Sequence, residues 1–151
     1  AVAAWLENVA IGVTGATLFD TVMNRIGDPF FGVTLNPGHL IHLDEWMHSP
    51  VSRNSDTRLG SHMAFQVDII PATGSPWFTA NMEDGIALLD ERGRAEFAER
   101  WPQARERIQA RRSFMQEELG IALHEEVMPF SNLASHLAPF WLSPDLAFTL
   151  R

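Results

Sequence analysis

Three histidines and two carboxylates fall inside one short segment, Asn36-Pro37-Gly38-His39-Leu40-Ile41-His42-Leu43-Asp44-Glu45-Trp46-Met47-His48-Ser49-Pro50. Two later acids, Asp68 and Glu83, stand on runs of strand-like composition. Imidazole and carboxylate are metal-ligand types. The chain has no cysteine, so disulfides, thiolate zinc sites and cysteine nucleophiles are excluded, and any ion must be held by nitrogen and oxygen, which favours harder metals. His39, Asp68 and Glu83 belong to three separate predicted strands, so no local spacing rule joins them. Side chains on one face of adjacent strands are nevertheless near neighbours, and an imidazole and two carboxylates can converge that way. On spacing alone the plainer reading is favoured, with His39 a hydrogen-bonded core histidine and the two acids paired to arginines. No glycine-rich phosphate loop and no Gly-x-Ser-x-Gly elbow is present, so phosphoryl transfer and serine hydrolysis have no support.

The elements that must position these residues follow from periodicity. Val2, Trp5, Leu6 and Val9 recur at helical spacing, and a second helix is predicted from about Thr14, with Leu18, Val22 and Ile26 as its buried stripe, ending at Gly27-Asp28-Pro29. Phe30 to Leu35 is predicted as a strand, followed by the Asn36-Pro37-Gly38 turn. From His39 the side chains alternate, placing His39, Ile41 and Leu43 on one face and Leu40, His42 and Asp44 on the other, so His39 and His42 need not share a site. Residues 51–60 form a polar loop. Met63 to Ile70 is a strand with Phe65, Val67 and Ile69 on one face and Gln66 and Asp68 on the other, and an acid there must be paired or bound to a cation to offset its burial. Two more strands are predicted over 77–80 and 83–89.

Arg94 to Leu119 reads as helix divided by Pro102, with Phe97, Trp101, Ala104, Ile108, Met115 and Leu119 near one face. Its arginines, Arg105, Arg107, Arg111 and Arg112, alternate with acids and suggest a solvated face rather than an anion site. Gly120 ends it. The tail from His124 carries Pro129, Pro139 and Pro144 and reads as an irregular segment. The five tryptophans read as core or subunit contacts, and His62 and His136 as surface or hydrogen-bonding residues. The expected fold class is α+β, in one domain over 1–151: two N-terminal helices, a curved antiparallel sheet, a long C-terminal helix and a tail. A length of 151 residues lets such a domain bury roughly 70% of its unfolded surface.

A formal charge of −8 and a pI near 5.1 argue against nucleic acid and anionic membrane as partners. No apolar run reaches the roughly 20 residues that span a bilayer, and the first residues lack the basic flank of a signal peptide, so the expected setting is cytoplasmic. The chain starts with Ala rather than Met, which suggests a piece of a longer protein.

Four motifs occur in order: Gly12-Val13-Thr14-Gly15, Gly38 to Asp44, Gly60 to Asp68, and Met82-Glu83-Asp84-Gly85-Ile86-Ala87-Leu88 through Gly93. In order and spacing they resemble successive motifs of the creatinase/prolidase/methionine-aminopeptidase group, the pita-bread metallopeptidases. The Xaa-Pro aminopeptidase and prolidase branch is the nearest in character. The resemblance runs over residues 1–93, leaving 94–151 as helix and tail. It implies a metal-dependent hydrolase of peptide or related C–N bonds, with two divalent ions, commonly manganese, cobalt or zinc, that polarise the scissile carbonyl and activate water. Residue by residue, His39 matches the ligand histidine, Asp68 the first acidic ligand and Glu83 the bridging one. His48 matches a histidine that orients substrate, through an insertion of about two residues.

The departures matter too. Asp68 stands where glutamate is usual, Leu35 where many members have a substrate-contacting histidine, and His42 where glycine is usual. The family's two aspartate ligands lie in the first half of its fold, and Asp20 and Asp28 sit on the second predicted helix and its end rather than on a strand. The resemblance is therefore to the C-terminal half of the catalytic domain. Such a half is expected to bind metal poorly and to need partners: the N-terminal half of the same protein and a second copy in a homodimer, besides the peptide or small amide substrate. The alternative expectation is a non-catalytic binding or interaction module that keeps the fold without a complete site.

Overall fold

The computed structural model describes residues 1–41, 49–74, 76, 81–131, 136–137 and 142–150. Helix α1, Val2–Asn8, places Val2, Trp5 and Leu6 at i, i+3 and i+4 and buries all three. Helix α2, Gly15–Ile26, starts as the sequence predicts. Thr14 is its N-cap, with Oγ1 accepting the Thr17 N–H at 3.2 Å, and Leu18, Phe19 and Val22 are buried. The polar loop after Pro50 closes the start of this helix. The Thr57 and Ser55 carbonyls accept from the Gly15 and Ala16 N–H groups at 2.9 and 3.0 Å, satisfying donors that have no partner within a helix. Gly15 touches the Pro50 carbonyl so closely that a Cβ would lie 1.7 Å from its oxygen.

The strand predicted over Phe30 to Leu35 does not form. Asp28 accepts the Phe30 N–H at 2.8 Å and Pro29 fixes its own φ, so the chain makes one 3₁₀ turn, Pro29–Phe31, which Gly32 closes at φ 56°. The Asp-Pro pair is a helix-start signal, and it outweighs the β-forming composition behind it.

Strands β1 (His39–Leu40), β2 (Ala64–Ile69), β3 (Met82–Leu88) and β4 (Val127–Pro129) form an antiparallel sheet in that order. The mixture of helices and antiparallel sheet is the predicted α+β class. β2 and β3 carry the longest pairing, from Ala64 opposite Ala87 to Ile69 opposite Met82. β4 corrects the expectation of an irregular tail. Its residues read as loop because Pro129 removes a donor, yet Pro129 opposes Ile86 on the outer strand, and Phe130 N–H bonds the Gly85 carbonyl at 3.0 Å just beyond it. The strand predicted over 77–80 lies outside the described residues.

Phe65, Val67, Ile69, Ile86 and Leu88 face the core, where α1 and α2 pack. Trp5 meets Phe65 edge-on, with ring centroids 6.1 Å apart at 65°. Helices α3 (Glu91–Arg100) and α4 (Pro102–Ser113) divide at Pro102, as predicted, and a π-helical turn, Phe114–Glu118, carries Met115 and Leu119 into the core. Gly120, at φ 77°, ends the run. Trp101 is not on the buried face. It sits between the helices at φ −134°, ψ 57°, a non-helical geometry that turns it outward and leaves it 60% exposed. Trp46, Trp77 and Trp141 lie outside the described residues. No helix among those described is long and apolar enough to cross a membrane.

Candidate metal centre

The alternation of β2 sends Gln66 and Asp68 to the face opposite the core. Antiparallel register then sets Asp68 directly across from Glu83 on β3, and Gln66 across from both Gly85 on β3 and His39 on β1. Three of the residues singled out in the sequence thus share one face of three neighbouring strands.

His39 is buried, and its Nδ1 lies 2.9 Å from the Leu40 carbonyl. With the proton on Nδ1, that contact is a hydrogen bond and Nε2 keeps its lone pair. Nε2 lies 3.7 Å from Asp68 Oδ2, too far for a hydrogen bond. Asp68 is itself buried, and its Oδ1 has no hydrogen-bond partner among the described residues. Burial raises the pKa of this carboxyl above the ordinary aspartate value, the Glu83 charge raises it further, and His39 pulls it partly back. A buried carboxylate with one oxygen unpaired among the described residues and an imidazole nitrogen facing the other is a donor set suited to a hard or borderline cation.

Glu83 is exposed and turned aside. Its Oε2 accepts from Gln66 Nε2 at 2.7 Å, and its Oε1 lies 3.5 Å from Asn81 Nδ2. Among the described residues no three histidine, aspartate or glutamate side chains converge closely enough to hold an ion. His39 and Asp68 are together, and Glu83 stands opposite Asp68 but engaged with Gln66. His42 and His48 lie outside the described residues. Leu35, at the position where a histidine was noted as missing, lines a small cavity of about 90 Å³ with Asn36, Gly38, Ser49, His39 and Asp68. Ser49 fixes its rim, donating to the Gly38 carbonyl and accepting from the Val51 N–H.

Comparison with known protein families and with curated proteins returns no match. Among solved structures, the chain is similar to an X-Pro aminopeptidase from Thermotoga maritima MSB8. The TM-score is 0.44 and the sequence identity 22%, covering 60% of this chain and 26% of that one. The chain therefore spans much less than two thirds of the length of that enzyme.

Sequence reasoning assigned no role to Gln66, Asn81 or Ser49. Gln66 had a usable signal, since it lies two residues before Asp68 on the same strand face. Asn81 and Ser49 act through loop geometry that has no periodicity to reveal it. Phe130 was also missed: its ring fills the space above Gly85, where a Cβ would come within 2.3 Å of it. Asp84 differs from its neighbour Glu83 in direction. It points to the core side, is buried, and accepts a 2.7 Å hydrogen bond from the Ser131 hydroxyl.

Proposed function

We propose that this chain forms part of the metal centre of a hydrolase acting on peptide or related C–N bonds, of the Xaa-Pro aminopeptidase or prolidase type. One observation carries the reading: the buried Asp68 Oδ1 has no partner among the described residues, while the second oxygen of the same carboxylate faces Nε2 of His39. Left alone, an orphaned buried carboxylate oxygen is destabilising, and a divalent cation is the group that would satisfy it. The order of motifs from Gly12 to Gly93 supports the hydrolase class. His39 and Asp68 would hold the ion, and Glu83 would join them after leaving Gln66. A divalent metal of the manganese, cobalt or zinc kind supplies a Lewis acid and an activated water. In this proposal His48 orients the substrate, two aspartates come from an N-terminal half of the same protein, and the working form is a cytoplasmic homodimer.

The test is hydrolysis of Xaa-Pro dipeptides and small amides by the full protein that carries this chain, with manganese added. Turnover is expected, and His39→Ala is expected to abolish it. Unchanged turnover in His39→Ala would overturn the assignment. The Gln66–Glu83 hydrogen bond favours a second reading, a binding module that keeps the fold without hydrolytic activity. That reading predicts no dependence of any activity on manganese or cobalt.

A further inference from the structure

We propose that the cleft enclosed by α3, α4 and β4 is a binding site for a small dianionic oxyanion, a phosphate ester or a dicarboxylate. The cleft has a volume of about 450 Å³, within the range of about 300–1,000 Å³ typical of small-molecule sites. Three guanidinium groups line it, from Arg94, Arg105 and Arg112, against one carboxylate, Glu125. That balance is opposite in sign to the chain as a whole, whose formal charge is −8.

The solvated arginine face expected from sequence is therefore incorrect for Arg112, which is only 8% exposed. It is buried because one guanidinium nitrogen, Nη1, donates to the His124 carbonyl at 3.0 Å and to the Val127 carbonyl, tying α4 to the strand beside it. Its Nε and Nη2 make no hydrogen bond to a described residue, and Arg112 is one of the residues that line the cleft. Burial lowers the pKa of Arg112, the Arg94 charge lowers it further, and Glu125 and Glu126 only oppose this. The like charges are thus incompletely neutralised by the protein itself.

Arg105, which also lines the cleft, is exposed and forms no ion pair among the described residues. Arg94 is anchored by a 2.9 Å bond to the Leu89 carbonyl and pairs with Glu125 at 3.4 Å. The Glu125 side chain is largely exposed, so this pair is weak and open to competition from a ligand. Gln109 adds a neutral donor, and Ala95, Ala98 and Met128 give the apolar remainder of the wall. Guanidinium forks match the planar oxygen pairs of carboxylate and phosphate, and two such forks without acidic partners call for two negative charges.

The test uses the chain itself, titrated with inorganic phosphate, succinate and, as a control, chloride, while the arginine Nε–Hε resonances are followed by NMR. Phosphate or succinate is expected to shift the Arg94, Arg105 and Arg112 signals saturably, with half-saturation at about 1 mM or below. The tighter of the two identifies the ligand as phosphate ester or dicarboxylate. Arg112 holds two main-chain carbonyls, so Arg105→Gln is the cleaner variant. It should weaken binding about tenfold with an unchanged melting temperature, whereas Arg107→Gln, on the same helix but outside the cleft, should not. Glu125→Gln should tighten binding. Binding no stronger than that of chloride, or equal losses in Arg105→Gln and Arg107→Gln, would overturn the proposal.

Discussion

Strands β2 and β3 each carry one buried aspartate, and the two acids live on opposite faces of the same hairpin. Asp84 points to the core side and accepts a hydrogen bond from Ser131. Asp68 points to the other face, where, among the described residues, Oδ1 has no partner and Oδ2 meets an imidazole nitrogen at 3.7 Å. On the core face Val67, Ile86 and Leu88 are all essentially inaccessible. Around Asp68 a small cavity opens beside Leu35 and Ser49. The same residue type is thus structural on one face and unsatisfied on the other. The proposed metal centre accounts for a buried carboxyl that finds no partner among the described residues.

Removing a core-side side chain should have the largest effect. Phe65→Ala leaves Trp5 without its edge-on partner and opens a cavity, and is expected to cost about 3–5 kcal/mol in urea denaturation. Asp84→Ala is expected to lose about 2–3 kcal/mol by the same measurement, because it strands the Ser131 hydroxyl and removes a charge-assisted bond. Asp68→Asn should go the other way, raising the stability of the metal-free chain by about 1 kcal/mol through removal of an orphaned charge. A loss as large as that of Asp84→Ala would erase the contrast between the two faces.

The smallest effect expected is a pH dependence set by His136 on the Asp84 side. Burial lowers the pKa of this ring below the ordinary 6.5, and the nearby Asp84 charge raises it only partly back. The folded chain therefore binds its proton less readily than the unfolded chain. The contribution of this group is complete above pH 6.5 and is lost as pH falls through 6.5 towards the lower folded value. Thermal melts across that window should show the decline, and His136→Gln should flatten it.

Much of this geometry was legible in sequence where periodicity is strict. The alternation of Phe65 to Ile69 assigned both faces of β2 correctly, and Pro102 marked the break between α3 and α4. Where a single local signal competed with composition, as at Asp28-Pro29, the composition misled. β4 was illegible because three residues ending in proline become a strand only when β3 offers an edge to pair with. Arg112 was misread because its partners are main-chain carbonyls of β4 and the turn before it, which no charge pattern announces. In the candidate site, the shared face of Gln66 and Asp68 followed from alternation, but the nearness of His39 depended on β1 pairing with β2. The turn of Glu83 towards Gln66 is a choice of side-chain rotamer and leaves no trace in sequence.

Paramagnetic broadening of the amide NMR spectrum by manganese tests the central claim most directly, because it detects weak binding and locates it. Selective loss of the signals of His39, Asp68 and Glu83 at low manganese, abolished by Asp68→Asn, is the predicted result. Broadening spread over the acidic surface, or a pattern unchanged by Asp68→Asn, would contradict a metal centre on this face of the sheet.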